Sequence, residues 1–154
     1  MHAWTRLALP LVALACASRG AAPAGSSPND ASELRRDVTA MMANAATAWN
    51  RGDLDAFMSD YLDSDRTTFV GGDSVLRGPA AVRRRYVQKY FAPGARRDSL
   101  SFEGIEVDPL APGVAHVVAF YVLARGDSVT ARGPTSLVLL RVGGRWRIVH
   151  DHSS

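Results

Sequence analysis

Residues 48–57 read Ala-Trp-Asn-Arg-Gly-Asp-Leu-Asp-Ala-Phe, and this stretch joins two predicted helices. Gly52 ends the first helix, because glycine is the residue most often found just past a helix C-terminus. Asp53 is a good N-cap for the second helix. The apolar residues of that second, short helix are Leu54, Phe57, Met58 and Tyr61. The folded part of the chain therefore contains two consecutive helices here.

The first helix extends back from Gly52 to Asp30. Asp30 and Glu33 form a capping-box pattern at its start. Apolar residues then recur at spacings of three and four, which is the period of one helix face. They are Leu34, Val38, Met41, Ala45, Ala48 and Trp49. This stripe predicts an amphipathic helix that packs one side against the rest of the domain.

Downstream, residues 67–76 predict a β-hairpin, because β-rich residues flank the turn sequence Gly71-Gly72-Asp73. A third helix follows, with Pro79 in its first turn and Pro93-Gly94 after its end. Its predicted buried side is formed by Val82, Tyr86 and Tyr90.

From residue 99 the hydrophobic period changes to two, which is typical of strands. Turn sequences of Pro-Gly, Gly-Asp, Gly-Pro and Gly-Gly separate five predicted strands. These are 99–107, 114–124, 128–132, 135–142 and 145–151. Helices followed by strands indicate an α+β domain, with about three N-terminal helices on one face of a curved, mostly antiparallel sheet. A concavity between the two layers is where such a domain would hold a ligand.

Three segments resemble one known family. They are residues 48–57, Arg77-Gly78 before the helix that carries Tyr86, and the closing sequence Gly-Arg-Trp-Arg-Ile-Val-His-Asp-His-Ser-Ser at 144–154. The chain resembles a SnoaL-like domain of the nuclear transport factor 2 superfamily over roughly residues 32–154. This resemblance implies a cone-shaped fold, related to ketosteroid isomerases and to the calcium/calmodulin-dependent kinase association domain. It leaves the function open, since the superfamily includes enzymes, binding proteins and assembly modules.

The resemblance also permits a test of isomerase chemistry, which needs a carboxylate base and two proton donors around the developing enolate. Alignment through Gly52-Asp53 puts Ala45 at the tyrosine donor, Phe69 at the base and about Val138 at the carboxyl donor. All three are apolar. We therefore expect no isomerisation of the ketosteroid type.

The last strand carries the polar candidates. Simple alternation places Trp146, Ile148, His150 and His152 on one face, and Arg145, Arg147, Val149 and Asp151 on the other. Two arginines favour the second face as the outer one. His150 would then point into the cone as a general base or hydrogen-bond donor. Alternatively, His150 is a structural residue in the core wall and His152 lies at a frayed end. Asp60 is the other catalytic candidate.

Several aromatic residues lie on the predicted inward stripes and would line a pocket for a flat, apolar ligand. With the two histidines, the candidate ligand-binding residues are Trp49, Tyr61, Phe69, Tyr86, Tyr90, Trp146, His150 and His152. The alternative for each aromatic residue is a place in the ordinary core.

Other clusters carry weaker signals. His150 and His152 share a face and His116 lies on another strand, but no further metal ligand stands at usable spacing, so we expect neither a metal nor another cofactor. Arg83-Arg84-Arg85 with Lys89 lies off the Val82, Tyr86, Tyr90 stripe. We interpret it as a solvated helix face, and secondarily as a contact for anionic lipid headgroups.

The N-terminus resembles a bacterial lipoprotein signal. An apolar run at residues 7–16 ends in Ala15 and Cys16, the only cysteine of the chain. We expect a signal peptide at 1–15, lipidated Cys16, a flexible tether at 16–29 and one domain at 30–154. The alternative is a plain secretory signal cut after Ala22 or Ala24. Both alternatives export the chain, and the first anchors it to the cell envelope.

Composition narrows the partners. The 154 residues include 18 basic and 15 acidic side chains, a net charge of +3 that predicts no nucleic-acid partner.

Three classes of function stay open. An envelope protein that binds a small molecule is the first, an enzyme of the cyclase, dehydratase or hydrolase type is the second, and an assembly module is the third. Apolar runs at 117–123 and 137–140 favour a homodimer through the sheet face.

Overall fold

The computed structural model describes residues 28–154, with side chains from Asp30 onward. The predicted signal peptide and most of the predicted tether lie outside these residues. The helices are α1 (Pro28–Arg51), α2 (Leu54–Met58) and α3 (Pro79–Tyr86), and α3 continues into one π-helical turn over Val87–Phe91. None of the helices within 28–154 combines the length and apolarity needed to cross a bilayer.

Six strands form one sheet with the order β2-β1-β6-β5-β4-β3. They are β1 (Thr68–Gly71), β2 (Ser74–Arg77), β3 (Ser99–Ala111), β4 (Val114–Arg125), β5 (Ser128–Val142) and β6 (Arg145–Ser153). Only the pair of β1 with β6 is parallel among these strands. The helices pack against the sheet, so the predicted α+β cone is confirmed.

The local signals around the helix ends are confirmed with two differences, of which the first is that α2 ends at Met58 and leaves Tyr61 outside the helix. The Asp53 carboxylate accepts a hydrogen bond of 2.9 Å from the Ala56 backbone N–H and caps α2. Gly52 has a φ of +79°, a left-handed conformation that glycine adopts without strain. Helix α1 begins at Pro28, two residues before Asp30. Asp30 is therefore not the N-cap. It lies in the first turn of α1, where its negative charge interacts favourably with the helix dipole.

The core lies between α1 and the concave face of the sheet. Val38 and Met42 of α1 are buried, and so are Val117 of β4 and Leu139 of β5. Burying each such side chain contributes about 1.5–3 kcal/mol to folding. This core layer holds α1 against the sheet. It therefore also fixes the position of the other residues that α1 directs toward the sheet.

The prediction of two strands at 128–132 and 135–142 is wrong, because β5 runs through Gly133 and Pro134 without a turn. A Cβ on residue 133 would lie 1.8 Å from the Ser154 carbonyl oxygen, so only glycine fits. The Pro134 carbonyl accepts a hydrogen bond from the Ser154 N–H. The missing N–H of the proline thus faces the end of β6, where the ladder stops and little is lost.

Strand β6 contains a β-bulge that reverses the predicted faces of its second half. Ile148 pairs with Leu139 and His150 pairs with Val138, so Val149 has no partner on β5. One extra residue turns every later side chain to the opposite face. Ile148 faces the helices as predicted, but beyond the bulge it is Asp151 that faces them.

Candidate functional site

A cavity of about 130 Å³ lies between the helices and the concave face of the sheet. A cavity of about 150 Å³ holds one benzene-sized molecule, so this space matches a single ring. Its walls are mostly apolar. The apolar and aromatic lining residues are Met41, Met42, Ala45, Trp49, Phe57, Tyr61, Phe69, Tyr86, Tyr90, Leu100, Phe102, Tyr121, Leu123, Leu137 and Ile148.

Trp49 is the centre of the aromatic wall. Its ring meets Phe57, Tyr86, Tyr90 and Phe91 edge-on, with centroid distances of 4.9–5.9 Å. Such edge-to-face contacts add about 0.5–1.5 kcal/mol each beyond burial. The indole N–H donates to the Asp98 carbonyl oxygen at 2.9 Å. The polar atom of Trp49 is therefore occupied elsewhere, and its ring serves as a wall.

A chain of hydrogen bonds runs along the cavity. The Asp151 carboxylate accepts one from the Tyr61 hydroxyl at 2.5 Å and one from the Ser153 hydroxyl at 2.8 Å. The Tyr61 hydroxyl lies 3.2 Å from that of Tyr86, and the Ser153 hydroxyl lies 2.9 Å from that of Thr135. All five side chains line the cavity. The bulge in β6 makes this possible, because it turns Asp151 and Ser153 inward together.

Burial changes the proton affinity of these groups. Desolvation raises the pKa of Asp151, although hydrogen bonds from Tyr61 and Ser153 oppose the change. Desolvation also raises the pKa of both Tyr61 and Tyr86, and the nearby Asp151 charge adds to it. The two phenols therefore stay protonated as donors at neutral pH. The carboxyl group holds a proton more readily than an exposed aspartate does.

Asp60 supplies a second buried carboxyl group. The residue is 8% exposed and also lines the cavity. Desolvation raises the pKa of Asp60, while the charges of Arg145 and Arg147 lower it. The Arg147 guanidinium donates a hydrogen bond to the carbonyl oxygen of Ser59, the residue before Asp60. The two arginines thus place positive charge close to Asp60, outside the cavity lining.

A family model for the SnoaL-like domain matches residues 38–154, well over half of the chain. The chain belongs to this family. No curated protein matches it significantly. A solved structure of an NTF-2 like protein of unknown function from Shewanella oneidensis is 28% identical with a TM-score of 0.70, and the match covers 78% of this chain and 98% of that one.

Two further solved structures share the fold of this SnoaL-like domain at lower identity. A putative scytalone dehydratase from Novosphingobium aromaticivorans is 12% identical with a TM-score of 0.65, covering 81% of this chain and 86% of that one. A putative calcium/calmodulin-dependent protein kinase type II association domain from Thiobacillus denitrificans is 21% identical with a TM-score of 0.63, covering 75% and 92%. One fold therefore appears under names that imply different functions.

The SnoaL-like domain brings most of the aromatic candidates together. Those that line the cavity are Trp49, Tyr61, Phe69, Tyr86 and Tyr90, and Asp60 joins them. Of the residues at the aligned isomerase positions, Ala45 and Phe69 also line it, whereas Val138 lies on the opposite face of the sheet, between the buried Leu137 and Leu139. Helix periodicity located Trp49, Tyr86 and Tyr90 on this wall. Tyr61 lies beyond the end of α2, and Phe69 lies on β1.

The three candidates on β6 lie outside the cavity lining, and for His150 and His152 this corrects the predicted inward face. His150 lies on the outer face, where its Nδ1 is 2.7 Å from the Thr68 hydroxyl, and His152 is exposed. Trp146 faces the start of α1 beside Leu34, away from the cavity. For the two histidines the physical reason is the bulge at Val149, which strand alternation does not predict. Trp146 precedes the bulge and faces α1 as predicted, but it is not part of the cavity lining. Among the described residues, no three His, Cys, Asp or Glu side chains lie close enough to hold a metal.

Apart from Asp60, sequence reasoning missed the polar and charged residues of the cavity, which are Arg85, Lys89, Thr135, Asp151 and Ser153. Asp151 and Ser153 were assigned by alternation to the wrong face and to the chain end, and nothing in the local sequence signals the bulge. Arg85 and Lys89 were assigned to a solvated helix face, yet both line the cavity. A signal for these two did exist, since Arg85 and Lys89 each follow a residue of the buried stripe by three positions, which places them beside that stripe on the helix.

Proposed function

We propose that this SnoaL-like domain binds a small, partly apolar molecule in the cavity. The observation that carries the proposal is Asp151, a carboxyl group that is only 5% exposed and lines a mostly apolar cavity. Burying a carboxyl group opposes folding even when it is hydrogen-bonded. Polar groups kept at such a cost in a cavity are typical of binding and catalytic sites.

The cavity suits a ligand with one ring and one polar end. The ring would pack against Trp49 and Phe69. A hydroxyl or carbonyl group on the ligand would meet the hydrogen-bonded unit of Tyr61, Tyr86 and Asp151, which can both donate and accept. The aromatic walls supply most of the affinity through burial, and the polar unit fixes the orientation.

Phenol is a suitable first probe, because it has one ring and one hydroxyl group. We expect Tyr61→Phe and Asp151→Asn each to weaken phenol binding about tenfold, since the first removes a buried hydroxyl and the second removes the carboxyl group that polarises it. Tyr121→Phe is the matched control. Tyr121 also lines the cavity, but its hydroxyl donates to the Ser154 carbonyl oxygen, so phenol affinity should change less than twofold.

The affinities are measured by ligand-observed NMR titration, with thermal melts to confirm that each variant is folded. Absence of phenol binding to the unmodified domain contradicts the proposal. Equal affinities in the Tyr61 and Tyr121 variants would also contradict it, because the polar unit would then have no part in binding.

The second candidate function is acid–base catalysis on the bound molecule. The raised pKa of Asp151 beside two protonated phenols favours it. Asp151 takes the role predicted for His150. It would accept or return a proton while the Tyr86 hydroxyl, whose proton Asp151 does not bind, donates to a developing oxyanion. A substrate turned over by the domain, but bound without turnover by Asp151→Asn, would distinguish this function from binding alone.

A further inference from the structure

Two positive side chains line the cavity together with its aromatic walls. They are Arg85 and Lys89, the latter being the single lysine of the chain. Lys89 is exposed and Arg85 is half-buried, whereas Asp151 and Tyr61 are buried. The positive charges therefore lie where the cavity meets solvent, and the polar unit lies at its closed end.

The end of α3 holds both cations in place. Arg85 and Lys89 are four residues apart, and the π-helical turn over Val87–Phe91 begins between them. Such turns are frequent at functional sites. The Arg85 guanidinium lies 5.2 Å from the centre of the Phe69 ring, and the Lys89 ammonium lies 5.1 Å from that of Tyr90. Both cations thus rest on rings of the cavity wall.

Neither cation is neutralised by the part of the chain that the structure describes. No carboxylate lies within 4.0 Å of Arg85 or Lys89 among the side chains of residues 30–154. Arg83 of the same helix provides a contrast, because it pairs with Asp55 at 2.6 Å. The two cations at the opening consequently remain available to a ligand.

We propose that the ligand is an anion, a ring-containing molecule with a carboxylate at one end and a hydroxyl or carbonyl group at the other. This inference rests on the proposed binding function. The carboxylate would meet Arg85 and Lys89, and the ring would fill the aromatic part of the cavity. The reverse orientation is unfavourable, because the carboxyl groups of Asp151 and Asp60 would repel an anion at the closed end.

Three probes with one shared ring test the charge directly. They are phenol, 4-hydroxybenzoate and its neutral isostere 4-hydroxybenzamide. We expect the unmodified domain to bind 4-hydroxybenzoate about tenfold more tightly than the amide, since a charge-assisted hydrogen bond to a half-buried arginine is stronger than a neutral one. Raising the salt concentration should weaken binding of the acid and leave the amide unchanged.

Variants then assign the preference to the two side chains. Arg85→Gln should weaken binding of 4-hydroxybenzoate about tenfold. Lys89→Gln should weaken it about threefold, because Lys89 is more exposed. Neither should affect the amide. Arg84→Gln is the matched control, as this neighbouring arginine is exposed and is not part of the cavity lining.

The outcomes separate this inference from the proposed function. If phenol and the amide bind but the acid binds no better, the cavity is a binding site and the anion inference is wrong. The inference is also wrong if Arg84→Gln removes the preference as strongly as Arg85→Gln does, because the effect is then one of overall charge. If none of the three probes binds, the proposed function and the inference fail together.

Discussion

At Asp151, burial works against folding as pH rises. Its pKa is higher in the folded chain than the usual 3.8, chiefly through desolvation. The unfolded chain therefore loses this proton first, and the folded state loses stability as pH rises from about 3.8 to the raised pKa. We expect the melting temperature of Asp151→Asn, relative to that of the unmodified domain, to increase across this interval and then stay constant. Thermal melts between pH 3.5 and 8 measure this difference.

Asp98 provides a control of opposite sign. Hydrogen bonds from Thr130 and Arg125 lower the pKa of its carboxyl group. The stability that Asp98 contributes is present above pH 3.8 and is lost as pH falls through the lowered pKa. The melting temperature of Asp98→Asn should therefore fall below that of the unmodified domain as pH rises through that lower interval, and the melts for this variant begin well below pH 3.8. A difference for Asp151→Asn that is independent of pH would contradict the role of desolvation.

At the scale of the elements, the outer face of the sheet is the surface that we propose for a homodimer. Val118 is 36% exposed and lies opposite the buried Val117 and Ala119 on β4. A charge there would be desolvated in a two-fold sheet interface. We expect light scattering at micromolar concentration to give a dimer for the domain and a monomer for Val118→Asp. Val87→Asp is the control, since Val87 of the π-helical turn is 38% exposed but lies away from the sheet.

A monomer for the unmodified domain would exclude this interface. A monomer for Val87→Asp as well would show that the loss of dimer is not specific to the sheet.

The elements also show which features could be predicted from sequence. Trp49 and Tyr86 were placed in the cavity by helix periodicity, because a helix repeats its faces through local hydrogen bonds. The bulge at Val149 depends on distant partners: Tyr61 bridges to Ile148, and β1 then pairs with β6 from His150 onward. No local sequence pattern indicates that β6 lies beside Tyr61 at Ile148 and beside β1 from His150 onward. The inward turn of Asp151 therefore could not be predicted, although the fold could.

At the scale of the whole molecule, we propose a lipid-anchored envelope protein in which a tether separates the anchor from the folded domain. The proposal rests on Cys16 and the apolar residues before it, outside the described part of the chain. Stable anchoring without a spanning helix requires more than one acyl chain, as in a lipidated N-terminal cysteine. We expect Cys16→Ser to move the chain from the membrane fraction to the soluble fraction. Fatty-acid labelling of the unmodified chain measures lipidation directly.

An unlabelled chain found in the soluble fraction would instead support a secretory signal cut after Ala22 or Ala24, and the lipoprotein hypothesis would be wrong.

The position of Trp49 gives the domain an optical reporter of its own. A chain that starts at residue 28 contains two tryptophans, and only Trp49 lines the cavity. Its indole excited state is surrounded by aromatic rings, so a guest molecule that replaces water beside them changes the emission, whereas Trp146 contributes a constant background. Trp146→Phe removes that background and leaves fluorescence from one known position. Occupancy of the cavity can then be measured from the fluorescence of Trp49 alone, without an attached dye.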